Sequence, residues 1–256
     1  MVVSKSLPVA VMIPGWSMPT TAFEPLRAAL GCVESRVLSL PGYEAPVADP
    51  TLWQAPEALE NALLEQIPDR PVVLVGWSLG GILALMLAAR APQRVAGVML
   101  LTCNPCFVAR DNWPGMAVET FDQFTHGVAE SPALTLRRFQ QLCCQGSPEA
   151  RRQARWLREE VAFTGSQQVL LSSLALLGDD YRGLMDRVSQ PLLALLAQED
   201  GLVPVALAEQ LGCEVSVIED SGHLLLADQA DTVAEHLKSL LERCACGAEG
   251  GDYGAA

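Results

Sequence analysis

Residues 72–90 read VVLVGWSLGGILALMLAAR. An apolar, β-branched run leads into Gly76-Trp77-Ser78-Leu79-Gly80, and a helix-forming stretch follows. Gly-x-Ser-x-Gly between a strand and a helix projects the serine hydroxyl from a sharp turn above the strand's carboxyl end. Small residues at 76 and 80 let strand and helix approach each other. The helix start after Ser78 leaves backbone N–H groups free, which suits developing negative charge. The chemistry on offer is nucleophilic attack by Ser78. A Gly/Ser-rich helix cap is the competing reading, and the strand–turn–helix context favours the nucleophile.

A serine hydroxyl is a weak nucleophile alone, so it needs a base and a group to orient that base. The chain holds 3 histidines. His126 lies in a helical stretch with no strand before it, and His236 sits inside the last helical stretch. His223 follows the strand-like EVSVIED in Ser221-Gly222-His223, which places it at a strand's carboxyl end. The orienting acid should follow the preceding strand, PLLALLA, where Glu199 and Asp200 compete. Asp200 is favoured because Gly201 gives it turn freedom, although an Asp before Gly is also a common turn former. An oxyanion needs two N–H donors. Leu79, after the serine, should supply one, and Trp16, in the loop that ends the early strand VAVMI, is the candidate for the other. Losing one such donor typically costs about 3 kcal/mol of transition-state stabilisation. Trp16 is also a candidate pocket wall.

These residues need a scaffold that brings distant loops together. Strands are expected over Val9–Ile13, Ser35–Leu40, Val72–Gly76, Val95–Thr102, Leu192–Ala197 and Glu214–Glu219. Helices are expected over Ala22–Leu30, Pro56–Gln66, Leu79–Ala91, Val205–Leu211 and Asp231–Arg243. Near-continuous apolar strands alternating with amphipathic helices imply an α/β fold, a mostly parallel sheet flanked by helices. The rhythm stops between about Cys106 and Ser189, where the chain is rich in Arg and Gln and reads as helices only. The expected organisation is a core of 1–105 and 189–243, an all-helical lid over 106–188, and a small, Gly-rich, acidic tail over 244–256 expected to be disordered.

Composition bounds the rest. The 256 residues are 50% hydrophobic and 18% charged, which is ample for a packed core. A net charge of −13 argues against nucleic-acid binding by the whole chain. No window approaches the roughly 18 uninterrupted apolar residues of a membrane span. The N-terminal apolar run, bracketed by Pro8 and Pro14, reads as a core strand rather than a signal peptide. The 8 cysteines sit mostly in apolar runs, so reduced thiols in a cytoplasmic protein are expected. Cys103-x-x-Cys106 lacks a second ligand pair, so no metal and no cofactor are expected. A monomer is the expected state.

The elbow Gly76–Gly81 and the Pro14-Gly15-Trp16 loop resemble the α/β-hydrolase superfamily, whose triad order is Ser78…Asp200…His223 here. Asn104-Pro105-Cys106-Phe107-Val108-Ala109-Arg110-Asp111-Asn112-Trp113-Pro114-Gly115 closely resembles a segment of the pimeloyl-[acyl-carrier protein] methyl ester esterases, the BioH family. Arg138-Phe139, Gly146, Ala150-Arg151, Ala154-Arg155 and Asp200-Gly201-Leu202-Val203-Pro204 match as well, and the likeness spans roughly residues 8–243. Departures include Pro14 in place of the usual His, Ser39 and Glu44 in place of an Asp and a Gly, and Asp228 in place of the usual Glu. The resemblance implies a serine carboxylesterase of biotin biosynthesis that removes the methyl group from pimeloyl-acyl carrier protein as methanol. It implies substrate contacts at Trp16, Ser78, Leu79, Phe139, Gln140, Gln141, Leu142, Cys143 and His223. It also matches the family's carrier-binding arginines to Arg138, Arg151 and Arg155.

Six arginines, at 137, 138, 151, 152, 155 and 158, stand within a short part of the lid, out of 17 basic residues in all. Arg151, Arg155 and Arg158 are four and three apart, so they share one side of a helix. Arg152 points elsewhere, towards Glu149 or Glu159. A solvated helix face is the ordinary reading of such a run. A docking patch for a small acidic carrier protein is the reading that the resemblance favours, since local positive charge offsets long-range repulsion. The rival activities are a generic short-chain carboxylesterase, an acyl thioesterase and a non-catalytic binding protein. An intact Ser78, Asp200 and His223 set weighs against the last.

Overall fold

The apolar strands order themselves into one sheet because each is too hydrophobic to leave either face wet. The computed structural model describes residues 7–44 and 49–247. Among them, β1 (Val9–Ile13), β2 (Ser35–Val37), β3 (Val72–Trp77), β4 (Val95–Leu101), β5 (Leu192–Ala197) and β6 (Glu214–Ile218) form a sheet of order β2-β1-β3-β4-β5-β6. Every neighbouring pair is parallel. All residues of β1 and β3 are buried, as the unbroken apolar runs require. The edge strand β2 is shorter than expected: regular pairing ends at Val37, although the Leu38 N–H still donates to Met12 O at 2.9 Å.

Helices α1 (Glu24–Leu30), α2 (Pro56–Leu64) and α3 (Leu79–Arg90) follow the first three strands, and α3 packs on β3, β4 and β1. Between β4 and β5 come α4 (Val118–Glu130), α5 (Pro132–Cys143), α6 (Ala150–Glu159), α7 (Gln167–Ala175) and α8 (Arg182–Met185). The short α9 (Leu225–Asp228) precedes α10 (Ala230–Gly247), which packs against α1 and β4.

Three further expectations are corrected. The insertion is not helical from its start: bridges Val108–Met116 and Arg110–Trp113 close a loop before α4. Pro114 interrupts helix there, Asn112 adopts φ 60°, and a Cβ on Gly115 would lie 2.6 Å from Phe107 O. Val205–Leu211 is only a 3-10 turn over Val205–Glu209. The tail begins later than residue 244, since Cys244 to Gly247 continue α10. Residues 248–256, where disorder was expected, lie outside the described residues.

The strand order reverses direction between β1 and β3. Chain leaving β1 turns towards β2, and chain leaving β3 turns towards β4, so a crevice opens at their carboxyl ends. The end of β1, the end of β3 and the start of α3 crowd together there. A Cβ on Gly80 would lie 2.0 Å from Ile13 O, and one on Gly76 would lie 2.3 Å from Gly80 O. Gly80→Ala is therefore expected to prevent folding or to cost about 3 kcal/mol of unfolding free energy. Gly183→Ala in α8, where an added Cβ meets nothing within 4 Å, should stay within about 1 kcal/mol of the parent. Urea unfolding followed by circular dichroism separates the two.

Candidate active site

Ser78 occupies the crevice with a backbone that ordinary residues avoid, φ 54° and ψ −119°. Such strain costs on the order of 1–3 kcal/mol and persists only where the surroundings enforce it. They do so here. The Ser78 N–H donates to Leu101 O at 2.9 Å, holding the turn to β4, and the Gly81 N–H returns to Ser78 O at 2.9 Å. A Cβ on Gly15 would lie 3.3 Å from Ser78 Cβ, so the loop after β1 rests directly on the serine. Among the described residues, the backbone N–H groups of Trp16 and Leu79 have no acceptor, leaving both available beside Ser78.

Asp200 and His223 come from the loops after β5 and β6. His223 Nδ1 lies 2.8 Å from Asp200 Oδ2, and both side chains are 1% exposed. The other carboxylate oxygen, Oδ1, accepts from the N–H groups of Leu202 at 2.7 Å and Val203 at 3.0 Å. Asp200 is thus fixed by its own turn, and only one oxygen is left to orient the imidazole. Glu199, the competing acid, is exposed. The two other histidines stay apart, His126 exposed on α4 and His236 half-buried on α10. His223 Nε2 is buried without a hydrogen-bond partner, the free nitrogen that a proton-accepting base requires.

Two residues that sequence reasoning missed hold the His223 carbonyl, Trp77 of the elbow and Thr102 just after β4. Trp77 Nε1 donates to His223 O at 2.9 Å, and Thr102 Oγ1 donates to the same carbonyl at 3.1 Å. Trp77 is the first variable position of Gly-x-Ser-x-Gly, and a tryptophan buried at a strand's end needs an acceptor for its indole N–H. That signal was present in the sequence. Its acceptor, 146 positions away, was not.

A cavity of about 70 Å³ abuts Ser78, lined by Trp16, Phe107, Met116, Phe124, Phe139 and Leu142 among others. Trp16 meets Phe124 and Phe139 edge-on at 5.2 and 5.0 Å, and its Nε1 donates to Leu170 O at 3.0 Å. Trp16 is thus both a cavity wall and the bearer of a free backbone N–H. Of the α5 residues expected at the substrate, Phe139 and Leu142 line this cavity. Gln140 and Gln141 do not: Gln140 donates to Leu157 O of α6 at 3.3 Å, and Gln141 is exposed. Helical periodicity turns those two positions away. Cys143 is buried behind the His223 loop, where its carbonyl accepts from Leu224 N–H at 3.0 Å. Burial above all, with Cys144 and Asp200 adding, holds the Cys143 thiol well above its ordinary range. The neighbouring Cys144 is pushed up to about 12, again chiefly by burial. Both stay protonated near neutrality, so neither competes with Ser78 as a nucleophile.

Phe107 and Met116 reach the cavity through the loop before α4. The Asn104 side chain organises that loop, accepting from Cys106 N–H at 3.0 Å and Trp113 Nε1 at 2.8 Å and donating to Pro114 O at 2.9 Å. The lid arginines stand outside. Arg137, Arg138, Arg151, Arg155 and Arg158 are exposed and, among the described residues, have no ion-pair partner, while Arg152 pairs with Glu149 at 2.8 Å.

Residues 10–236 match the model of the alpha/beta hydrolase family. A pimeloyl-[acyl-carrier protein] methyl ester esterase of Aromatoleum aromaticum is 36% identical over 234 residues, covering 84% of this chain and 91% of that protein. The biotin biosynthesis bifunctional protein BioHC of Cellvibrio japonicus is also 36% identical, over 93% of this chain, but this chain spans only 48% of its length. An esterase structure from Exiguobacterium antarcticum superposes with a TM-score of 0.79 over 93% of both chains at 23% identity, a likeness of fold alone.

If Ser78 is the nucleophile, a serine-directed fluorophosphonate should label the chain once, and Ser78→Ala should abolish labelling. Asp200→Asn should slow it by on the order of 10⁴-fold, as expected when an imidazole loses its orienting acid. Intact-protein mass spectrometry reads both. Undiminished labelling of Ser78→Ala would refute the assignment.

Proposed function

This chain belongs to the alpha/beta hydrolase family, and within it to the pimeloyl-[acyl-carrier protein] methyl ester esterases; from that premise we propose that it hydrolyses the methyl ester of a pimeloyl group borne on acyl carrier protein, a step of biotin biosynthesis. The observation that carries the reading is the buried Asp200–His223 pair, 2.8 Å apart, whose histidine carbonyl is tied to the serine elbow through Trp77.

The mechanism follows from what each group can do. Ser78 Oγ attacks the ester carbonyl while His223 Nε2 takes its proton. Asp200, bound at Nδ1, fixes the tautomer and stabilises the imidazolium that forms. The carbonyl oxygen gains negative charge and is met by the N–H groups of Trp16 and Leu79, each contributing about 3 kcal/mol. His223 then returns the proton to the methoxy group, methanol leaves, and the pimeloyl group remains on Ser78 as an ester. Water, deprotonated by His223, attacks that ester and releases the free carboxylate on its carrier. One water is consumed and one methanol formed.

The apolar walls suit a methylene chain. A cavity of about 70 Å³ holds roughly two water volumes, so an acyl chain has to turn aside the rings of Phe124 and Phe139. The carrier would meet α5 and α6. Gln153 and Leu157 are buried on one side of α6, and the unpaired Arg151, Arg155 and Arg158 lie on the exposed side. With Arg138 of α5 they form a cationic rim on a chain of net charge −13. Arginine matches carboxylate and phosphate with paired donors, so an acidic carrier with a phosphate-linked arm fits this rim. The triad, both oxyanion donors and the rim all come from one chain, which suits a monomer. Eight unpaired cysteines suit the reducing cytoplasm. Among the described residues, no helix is long and apolar enough to cross a membrane.

Comparison of methyl pimeloyl carrier with free methyl esters tests the proposal. Arg155→Glu is expected to lower kcat/KM on the carrier substrate at least about tenfold, with a loss that shrinks as salt rises. The same variant should stay within about twofold on a free ester. Equal losses on both substrates would reject carrier docking at α6, and a generic esterase would then describe the enzyme better.

A further inference from the structure

The carboxylate of Asp228, at the end of α9, is shared between two parts of the molecule. Its Oδ2 accepts from the Gly222 N–H at 3.0 Å, in the Ser221–Gly222 peptide, one residue ahead of His223. Its Oδ1 accepts from Gln153 Nε2 of α6. Among the described residues no basic side chain pairs with Asp228, so these two N–H groups are its recorded compensation. Gln153 is itself 5% exposed, on the helix face opposite the arginines. A carboxylate with one oxygen on each of two segments holds them at a fixed separation, more strongly than a neutral acceptor would.

The surroundings make this the adjustable tie. Two further contacts between lid and His223 loop are made by backbone: Leu224 N–H to Cys143 O at 3.0 Å, and Gly222 packed so tightly that a Cβ would lie 2.0 Å from Gln145 O. Those fix how near the α5–α6 turn comes. The Gln153–Asp228–Gly222 chain holds the Ser221–Gly222 peptide, from which the chain enters His223. An open groove of about 390 Å³ adjoins it, lined by Arg152, Gln153 and Arg155, by the acids Glu159 and Glu160, and by Ala227 of α9.

We propose that Asp228 is a positioning residue for catalysis, which sets the His223 loop through Gly222 and references it to the arginine-bearing helix α6 through Gln153. The inference rests on the esterase reading above. Asp228 touches no reacting atom. It acts by holding His223 Nε2 on the line to Ser78, where displacements of the order of an ångström can cost up to a hundredfold in rate.

The test uses the full chain and a free short-chain methyl ester, so that carrier docking plays no part. Asp228→Asn, which removes one of the two acceptors, is expected to lower kcat and the fluorophosphonate labelling rate by on the order of tenfold, with KM within about twofold and an unchanged thermal midpoint. Asp228→Glu keeps both acceptor oxygens and should recover most of the loss. Gln153→Leu, which cuts only the lid side, should lower kcat by about threefold at unchanged KM. A kcat for Asp228→Asn within twofold of the parent would overturn the proposal, as would a loss that tracks the fraction unfolded or one that Asp228→Glu fails to recover. If Asp228→Asn does not fold, Gln153→Leu decides alone: an unchanged kcat overturns the proposal. Ser78→Ala, run alongside, distinguishes the failures. Persistent labelling there rejects the nucleophile itself, whereas lost labelling with an indifferent Asp228 rejects only the positioning role.

Discussion

The strained backbone of Ser78 is the constraint on which the rest of this molecule depends. A serine at φ 54° cannot relax, because the space around it is filled by backbone. Glycines at 15, 76 and 80 are there because a single carbon at any of them would press on a neighbouring chain segment. The order of the sheet follows from the same need: β1 and β3 must lie side by side so that the loop after one can rest on the turn after the other. The strain is offset by a core in which β1 and β3 are wholly buried. In return the serine oxygen, two unbonded N–H groups and an apolar cavity converge on one point.

Much of this was legible in the sequence, and the reason is local. The strand–turn–helix signal around Ser78, the apolar strands and the loops after them are written in contiguous residues, so five of the six strands lie within a residue of their expected ends. His223 and Asp200 were placed by their position after a strand. What stayed hidden was pairwise and distant. Nothing in Trp77 or Thr102 announces that both donate to the carbonyl of His223. Nothing in Gln153 points to Asp228, 75 positions away. Gln140 and Gln141 are contiguous in sequence with Phe139 and Leu142, and only the turn of the helix separates the two pairs. The Arg- and Gln-rich composition of the insertion predicts helix, and the loop before α4 departs from it because the Asn104 side chain bonds three residues of that loop.

Charge and chemistry are kept on different sides of the same two helices. The faces of α5 and α6 that meet the core carry Phe139, Cys143, Gln153 and Leu157, while their outer faces carry arginine. The lid is therefore thin: one helix layer separates solvent from the serine. Its thinness explains why a protein with an overall excess of acid can still present a cationic surface next to its reactive centre. Acid is not wholly absent from this rim: Glu149 pairs with Arg152, and Glu159 and Glu160 line the same groove as Arg155.

Trp16 combines two properties that are usually tuned by different residues. Its indole closes the cavity against Phe124 and Phe139, while its main-chain N–H is free beside Ser78. The first property belongs to the side chain and the second does not. Replacement of the indole by a smaller group would redraw the room available to an acyl chain and leave the amide in place, provided Gly15 still rests on Ser78. Over evolutionary time such a site can wander among ester sizes without passing through an inactive form. The same separation offers an engineer a position at which the cavity can be resized while the main-chain amide beside Ser78 is left in place.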